Sequence, residues 1–266
     1  ACADGSGGVF ILWRDVRKPI VFDDEGHILL QHLLASGARA PGFAALGRAL
    51  GVIVSPVPSA RTAARFTADP TGGAWALFTR ASQDPAQWPS GFVVVRIDES
   101  GLLASGSGDA GLALPGPSSD IDPPAASVRL FSDGSGGAWV IYSSPSRGVV
   151  RAFALLPDGS LDPALPGNGL DLAAATDTVI EPDGVGGFFE QVPGSGFERL
   201  ALRHLRTDGS LDPAWATPIP ITGAREARLL PTADGVVACG WSVYANGACS
   251  EYAGDGLLGR LSRDGT

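Results

Sequence analysis

The 266-residue chain has no methionine, three cysteines, three histidines and three tyrosines. It also has few cations, with Lys and Arg totalling 19 against 28 Asp and Glu, a formal net charge of -9. A nucleic-acid binder carries a basic stripe, and this sequence has none. No run approaches the roughly 18 uninterrupted apolar residues that span a bilayer. No positively charged, apolar signal segment opens the chain. Without an initiator Met, the sequence reads as a processed or trimmed piece of something longer, with flanking domains of the same parent chain expected. Regular His/Cys spacing for a zinc site is missing, as His27, His32 and His204 are scattered. P-loop, HExxH, EF-hand and GxSxG patterns are missing too. GxGxxG occurs at 106–111 and 254–259, but neither copy opens a helix, as dinucleotide binding requires. No cofactor is expected.

What the chain does have is glycine and proline, 37 and 21 residues, arranged with a period. An Asp-Gly signature starts at Asp4 (DGSGGVF), Asp69 (DPTGGAW), Asp133 (DGSGGAW), Asp183 (DGVGGFF) and Asp234 (DGVVACGW), in steps of 65, 64, 50 and 51 residues. Self-similarity on this scale indicates a solenoid, a propeller or an array. A second turn, Asp-x-Gly-x-Leu, runs in step with the first: DDEGHIL around Gly26, DESGLL around Gly101, DGSLDPAL from Asp158 and DGSLDPAW from Asp208, with a truncated RDGT at Gly265. The heptapeptide DGSLDPA occurs twice, 50 residues apart.

Each copy reads as four short strands. One precedes the Asp turn and one follows it, carrying an aromatic six residues after the Asp at Phe10, Trp75, Trp139 and Phe189. Copy five slips by one residue and offers Trp241. A third strand follows a variable loop (FVVVRID, VVRAFALL, ALRHLR, LLGRLS), and a weaker fourth follows the second turn. Short strands bounded by turn signals, without helical intervals, argue for an all-β chain. Four strands and one aromatic mark per repeat fit the blades of a β-propeller. The expectation is a single propeller domain over 1–266, with repeats at roughly 1–63, 64–127, 128–177, 178–228 and 229–266, the first and last truncated. The aromatics would fill seams between blades, and the Gly pairs would let backbones approach closely. PGFAALGRALG from Pro41 has helical spacing at Phe43, Leu46 and Leu50 and is expected to form a short inserted helix.

The turn aspartates Asp4, Asp69, Asp133, Asp183 and Asp234 are expected to be structural, each carboxylate bonding nearby backbone N–H groups. A calcium site is the weighed alternative, disfavoured by one carboxylate per copy; no metal is assigned. Cys239 and Cys249 flank CGWSVYANGAC, whose Asn246-Gly247 pair is a short-turn signal. A disulfide between them would imply an oxidising compartment. A strict two-residue turn there would set Cys239 opposite residue 254, so the bond needs a wider loop. Cys2 falls at a strand position and reads first as a core thiol, with a partner for a missing segment and a lipid-attachment cysteine exposed by processing as the alternatives. Trp88, in DPAQWPSG between strands two and three, is the candidate ligand contact. Trp215, whose counterpart is Leu165, reads as a packing position. Acid groups that could serve a glycosidase are Asp23, Asp24 and Glu25, and Asp120 and Asp122, all at expected turns.

The string DGSGGAW, with the later LDP step, resembles the repeats of bacterial secreted and cell-surface β-propellers, and the DGSLDPA copies are similar to delta-sixty repeats of extracellular bacterial proteins. Copy five departs, with Val236-Val237 at the small-residue positions. The Asp turns also look like the Asp-box turns of sialidase-type propellers, with one more residue between Asp and Trp. The resemblance implies an extracellular or cell-surface location, with the outer membrane or periplasm as the alternative, and no catalytic residue. With the residues themselves it implies a non-catalytic module that binds a protein or glycan partner. Two alternatives stand beside it: a carbohydrate-active enzyme with acids in a central channel, and a filament subunit completed by strand exchange.

Overall fold

The computed structural model describes residues 1–15, 24–55, 64–69, 71–80, 91–107, 111–114, 127–144, 148–174, 178–193, 200–221, 224–232, 235–245 and 252–262. Every regular element of length among them is a strand. The first sheet holds β1 (Cys2–Ala3), β2 (Val9–Asp15), β3 (Asp24–Leu33) and β4 (Arg48–Ser55). The second holds β5 (Ala64–Asp69), β6 (Gly73–Arg80), β7 (Gly91–Asp98) and β8 (Leu112–Ala113). The third holds β9 (Ser127–Ser132), β10 (Ala138–Ser144), β11 (Val149–Leu155) and β12 (Leu170–Asp171). The fourth holds β13 (Val179–Pro182), β14 (Phe188–Pro193), β15 (Leu200–Leu205) and β16 (Ile219–Pro220). The fifth has three strands, β17 (Ala224–Thr232), β18 (Gly235–Ala245) and β19 (Tyr252–Ser262). In each sheet the strands lie side by side in chain order, an antiparallel meander. The chain is therefore all-β, one sheet per repeat.

It divides into two compact units, Ala1–Tyr142 with Ala152–Gly169, and Ser143–Arg151 with Leu170–Thr266. The boundary runs through the third sheet.

Within the first unit the side-chain alternation of β6 decides the packing. Successive strand residues point to opposite faces. Ala74, Ala76 and Phe78 join Phe10, Leu30, Phe43 and Leu50 of the first sheet in one core. Trp75 and Leu77 join Val128, Leu130, Ala138 and Val140 of the third in another. The second sheet is thus apolar on both faces, with Ala74, Ala76 and Phe78 of β6 on one and Trp75 and Leu77 on the other. In the second unit a separate core holds Phe189, Leu202 and Trp215 from the fourth sheet with Leu229 and Val236 from the fifth. At about 25 cal/mol per Å² of apolar surface, seams of this kind carry most of the stability of their sheets.

Two sequence expectations in the first repeat are corrected. Gly26 lies inside β3, paired with Ile53, and marks no turn. The second turn of this repeat is at Leu34–Ala38, where the Leu34 N–H donates to the Ala38 carbonyl and Gly37 takes a φ of 77°. The same bond recurs at Asp98 and Leu102, Leu156 and Ser160, and Arg206 and Ser210. The first copy lacks the Asp that marks the others, so DDEG stood in for it in the sequence pattern. The segment from Pro41 is not a helix. Gly42 and Gly47 have φ of 89° and 83°, and β4 begins at Arg48. Phe43 is buried where Leu165 and Trp215 stand in the later copies, while Leu46 is 60% exposed. The spacing of apolar residues there reflects turn packing, not a helical face.

The fifth sheet also corrects the hairpin. Cys239 pairs across with Leu258, so the chain reversal is not centred on Asn246-Gly247. Cys249 lies outside the described residues; no disulfide is present among those described, and β18 runs six residues past Cys239 to Ala245.

Candidate functional site

The Asp4, Asp133 and Asp183 turns share one construction, and Asp69 uses a variant of it. Residues i to i+4 reverse the chain between the first and second strands of the sheet. In the Asp4 turn the carboxylate Oδ1 accepts from the Ser6 and Gly8 amides, both at 2.8 Å. Asp133 accepts from Ser135 and Gly137 at 2.7 and 2.9 Å. Asp183 accepts from Val185 and Gly187 at 2.8 and 2.9 Å. Asp69 accepts from the Thr71 amide and hydroxyl, each at 2.9 Å. A short acceptor at the first position satisfies amides that a tight turn leaves unpaired. The last glycine of each turn lies against the end of the third strand: a Cβ on Gly137 or Gly187 would meet the carbonyl oxygen of Leu155 or Leu205.

The second carboxylate oxygen reaches the third strand of the same sheet. His32 Nε2 lies 2.8 Å from Asp4 Oδ2, Arg96 Nη2 donates to Asp69 Oδ2 at 2.9 Å, and His204 Nε2 lies 3.1 Å from Asp183 Oδ2. These partners stand one residue before the strand's last aliphatic, Leu33, Ile97 or Leu205. In the third repeat that place is Ala154, before Leu155. The consequence shows in burial. Asp4, Asp69 and Asp183 are buried, whereas Asp133 is half-buried. The hydrogen bond from His32, with the Ser6 and Gly8 amides, holds the Asp4 carboxyl far below the usual range.

The fourth sheet carries the densest polar constellation. Burial alone would push the Asp183 carboxyl up, but the His204 bond and the two turn amides bring it below the ordinary value. His204 also places Nδ1 2.9 Å from Asp212 Oδ2. Burial disfavours its cation, yet the two carboxylates outweigh that and raise its pKa. Asp212 caps the short 3-10 turn Pro213–Trp215 by accepting from the Ala214 amide at 3.0 Å. Phe189 and Trp215 enclose the imidazole, with ring centroids at 4.9 and 6.0 Å. On the other face of β14 the fully buried Glu190 pairs with Arg203 Nε and accepts from Thr178 Oγ1 at 3.0 Å. Arg203 also donates to the Ala173 carbonyl.

These groups are not brought to one place. Each buried acid is engaged by a His or Arg of its own sheet, and no group of three His, Cys, Asp or Glu able to hold a metal is present among the described residues. Asp4, Asp69, Asp133 and Asp183 occupy equivalent turns; Asp234, Trp88, Asp23, Asp120 and Asp122 lie outside the described residues, and Asp24 and Glu25 sit in β3. Trp215 is fully buried in the seam core. Cys2 pairs with Phe10, packs against the core of the first two sheets, and has its thiol pushed up to about 11 by burial. The sequence reading missed His32 and His204 as braces, along with Arg96, Arg203, Glu190 and Asp212. One signal was available: each brace stands two residues before the first residue of the second turn, at 34, 98 and 206.

No family model matches the chain, and no curated protein matches it. Solved structures similar to it include a protein of unknown function from Bacteroides caccae (13% identity, TM-score 0.38, covering 91% of this chain and 75% of that one). The hydrazine synthase of Kuenenia stuttgartiensis is another (11%, 0.41, 90% and 63%). An endo-arabinase from Bacteroides thetaiotaomicron is a third (11%, 0.38, 97% and 95%).

Proposed function

We propose that the chain is a β-propeller module of a secreted or surface bacterial protein, and that it binds a protein or glycan partner without chemistry of its own. The observation that carries the non-catalytic part is the fate of the buried acids. Asp4, Asp69, Asp183 and Glu190 each spend their charge on a His or Arg of the same sheet. A glycosidase needs two carboxylates facing one substrate, about 5–10 Å apart, and acids each tied to a partner in its own turn or strand do not supply that pair. The radial arrangement is supported within each unit by contacts between first strands, β1 with β5 and β5 with β9 in one, β13 with β17 in the other. It is supported further by the two apolar faces of the second sheet. The extracellular location rests on the likeness of DGSGGAW and DGSLDPA to surface repeats. No helix among the described residues is long and apolar enough to cross a membrane.

Binding and turnover are separable by experiment. The purified chain is applied to a glycan array and used as bait in a pull-down, and its incubation with array hits is followed by chromatography of released sugars. The expected result is a retained partner, no released product, and affinity lowered about tenfold or more by Trp88→Ala, the truncation effect of an aromatic anchor. Sugar release that requires the chain, or blank screens of both kinds, overturns the proposal.

A further inference from the structure

His204 differs from the histidine that holds the same place in the first repeat. His32 uses Nε2 on Asp4, while its Nδ1 is buried without a hydrogen-bond partner. That bond is made by the tautomer with hydrogen on Nε2. His204 has a carboxylate oxygen at hydrogen-bond distance from both ring nitrogens, Asp183 at 3.1 Å and Asp212 at 2.9 Å. A neutral imidazole has one N–H and would set a bare nitrogen lone pair against one of the two carboxylates. Both acids are fixed as acceptors, because Asp183 takes the Val185 and Gly187 amides and Asp212 takes the Ala214 amide on their other oxygens.

Two conditions must coincide for this arrangement, and among the first four repeats only the fourth meets both. A histidine must precede the last residue of the third strand, and an acid must stand eight residues later, where its N–H bonds the histidine carbonyl. That second position holds Ala40, Ala104, Asp162 and Asp212 in the four copies. The third repeat has the acid but Ala154 in place of the histidine.

We propose that His204 is a pH-sensitive clamp: as the imidazolium it ties the Asp183 turn to the Asp212 turn, and on losing a proton to solvent it lets go of one of them. Asp212 is the one released, since its side chain is 22% exposed against 2% for Asp183. The groups that face the clamp are few. From the first turn comes Asp183. From the second turn and its continuation come Asp212 and Arg206, the latter a minor favourable charge on Asp212. On β15 itself Arg203 is committed to Glu190 and the Ala173 carbonyl. Beta-strand β14 contributes the uncharged Phe189, and the described side chains of the fifth sheet in this core, Leu229 and Val236, are uncharged.

The sign follows from linkage. The folded-state pKa of His204 is raised, so its contribution is complete below the ordinary value of 6.5 and is lost as pH climbs through the higher folded value. Asp183 and Asp212 are lowered, so theirs is complete above 3.8 and is lost as pH falls through the lower folded values. The clamp is strongest between those two ordinary values.

The test is an NMR titration of the full chain labelled with 15N-histidine, with the His204 signals assigned through His204→Gln. Asp212→Asn is the second variant; it keeps the cap acceptor for Ala214 and removes the second charge. The expected result is a His204 that stays cationic above pH 6.5 and titrates about one pH unit lower in Asp212→Asn, within the range for loss of an adjacent opposite charge. The urea midpoint of the native chain is expected to exceed that of Asp212→Asn most between pH 4 and 6.5. A His204 that titrates at or below 6.5, or a His204 titration that Asp212→Asn leaves unmoved, would overturn the clamp.

Discussion

Asp183 and Asp133 hold the same position in their turns and accept the same pair of backbone amides. They differ in what reaches them from the third strand: His204 for one, and an alanine at the matching place for the other. Breaking a buried charge pair by neutralising one member costs about 3–5 kcal/mol. Substitution at a half-exposed acid without a cation costs under about 1 kcal/mol. Asp183→Asn is therefore expected to destabilise the chain by about 3 kcal/mol and Asp133→Asn by about a third of that or less, read from urea unfolding at pH 6. Equal costs would mean that the carboxylate charge plays no part in the brace. At this scale the turn acids were legible and their partners were not. The Asp and its glycines fall within five residues, and backbone sterics demand them locally. The partners stand 28, 27 and 21 residues downstream and vary between His and Arg, with an alanine at the matching place of the third repeat, so only the folded sheet brings them together.

The elements of the first unit are joined through their turns. Gly42, just after the second turn of the first repeat, has a φ of 89°, and a Cβ there would fall on the carbonyl oxygen of Ser100 in the second turn of the next repeat. Gly106 stands at the matching place one repeat on; its N–H donates to the Asp158 carbonyl at 2.7 Å. Gly37 has a similar φ of 77° with nothing within 4 Å of the added atom. Gly37→Ala is expected to cost about 1–2 kcal/mol, the strain of the left-handed region alone. Gly42→Ala adds a backbone clash to that strain and is expected to cost at least twice as much, by thermal or urea unfolding. Strands two and three were readable from alternation and from the Asp turns. The second turn of the first repeat was not, because Leu34–Ala38 carries glycine without the acid of its sister turns. The loop from Pro41 was misread for a related reason: Phe43, in the loop between β3 and β4, and Leu50, in β4, enter the same core at a spacing that imitates a helix face.

Across the whole molecule the braced carboxylates act in one direction. Asp4, Asp98, Asp158, Asp183, Asp208 and Asp212 all have lowered pKa values, chiefly through bonds from His32, Ser100, Ser160, His204 and Ser210 working with or against burial. Groups lowered on folding stabilise the native state above their unfolded value near 3.8 and withdraw that support as pH falls. The chain is expected to keep its urea midpoint from pH 6 to 5 and to lose it progressively below about pH 4, followed by tryptophan fluorescence. A midpoint that stayed level to pH 2.5 would show that the turns do not depend on ionised acids. The number of sheets and their order were legible in the spacing of five aspartates. The distribution of cores was not, since whether alanine or tryptophan of β6 meets one neighbour or the other depends on register, which a one-residue slip would invert.

Turns that interlock with the following sheet leave little room for change by small steps. A change of length in the loop at Gly42 or in the turn at Ser100 would disturb two copies together, since the Gly42 backbone already lies against the Ser100 carbonyl. The identical heptapeptides beginning at Asp158 and Asp208, 50 residues apart, build the same closing bond twice, from the Leu156 N–H to the Ser160 carbonyl and from the Arg206 N–H to the Ser210 carbonyl, so one local string serves two sheets.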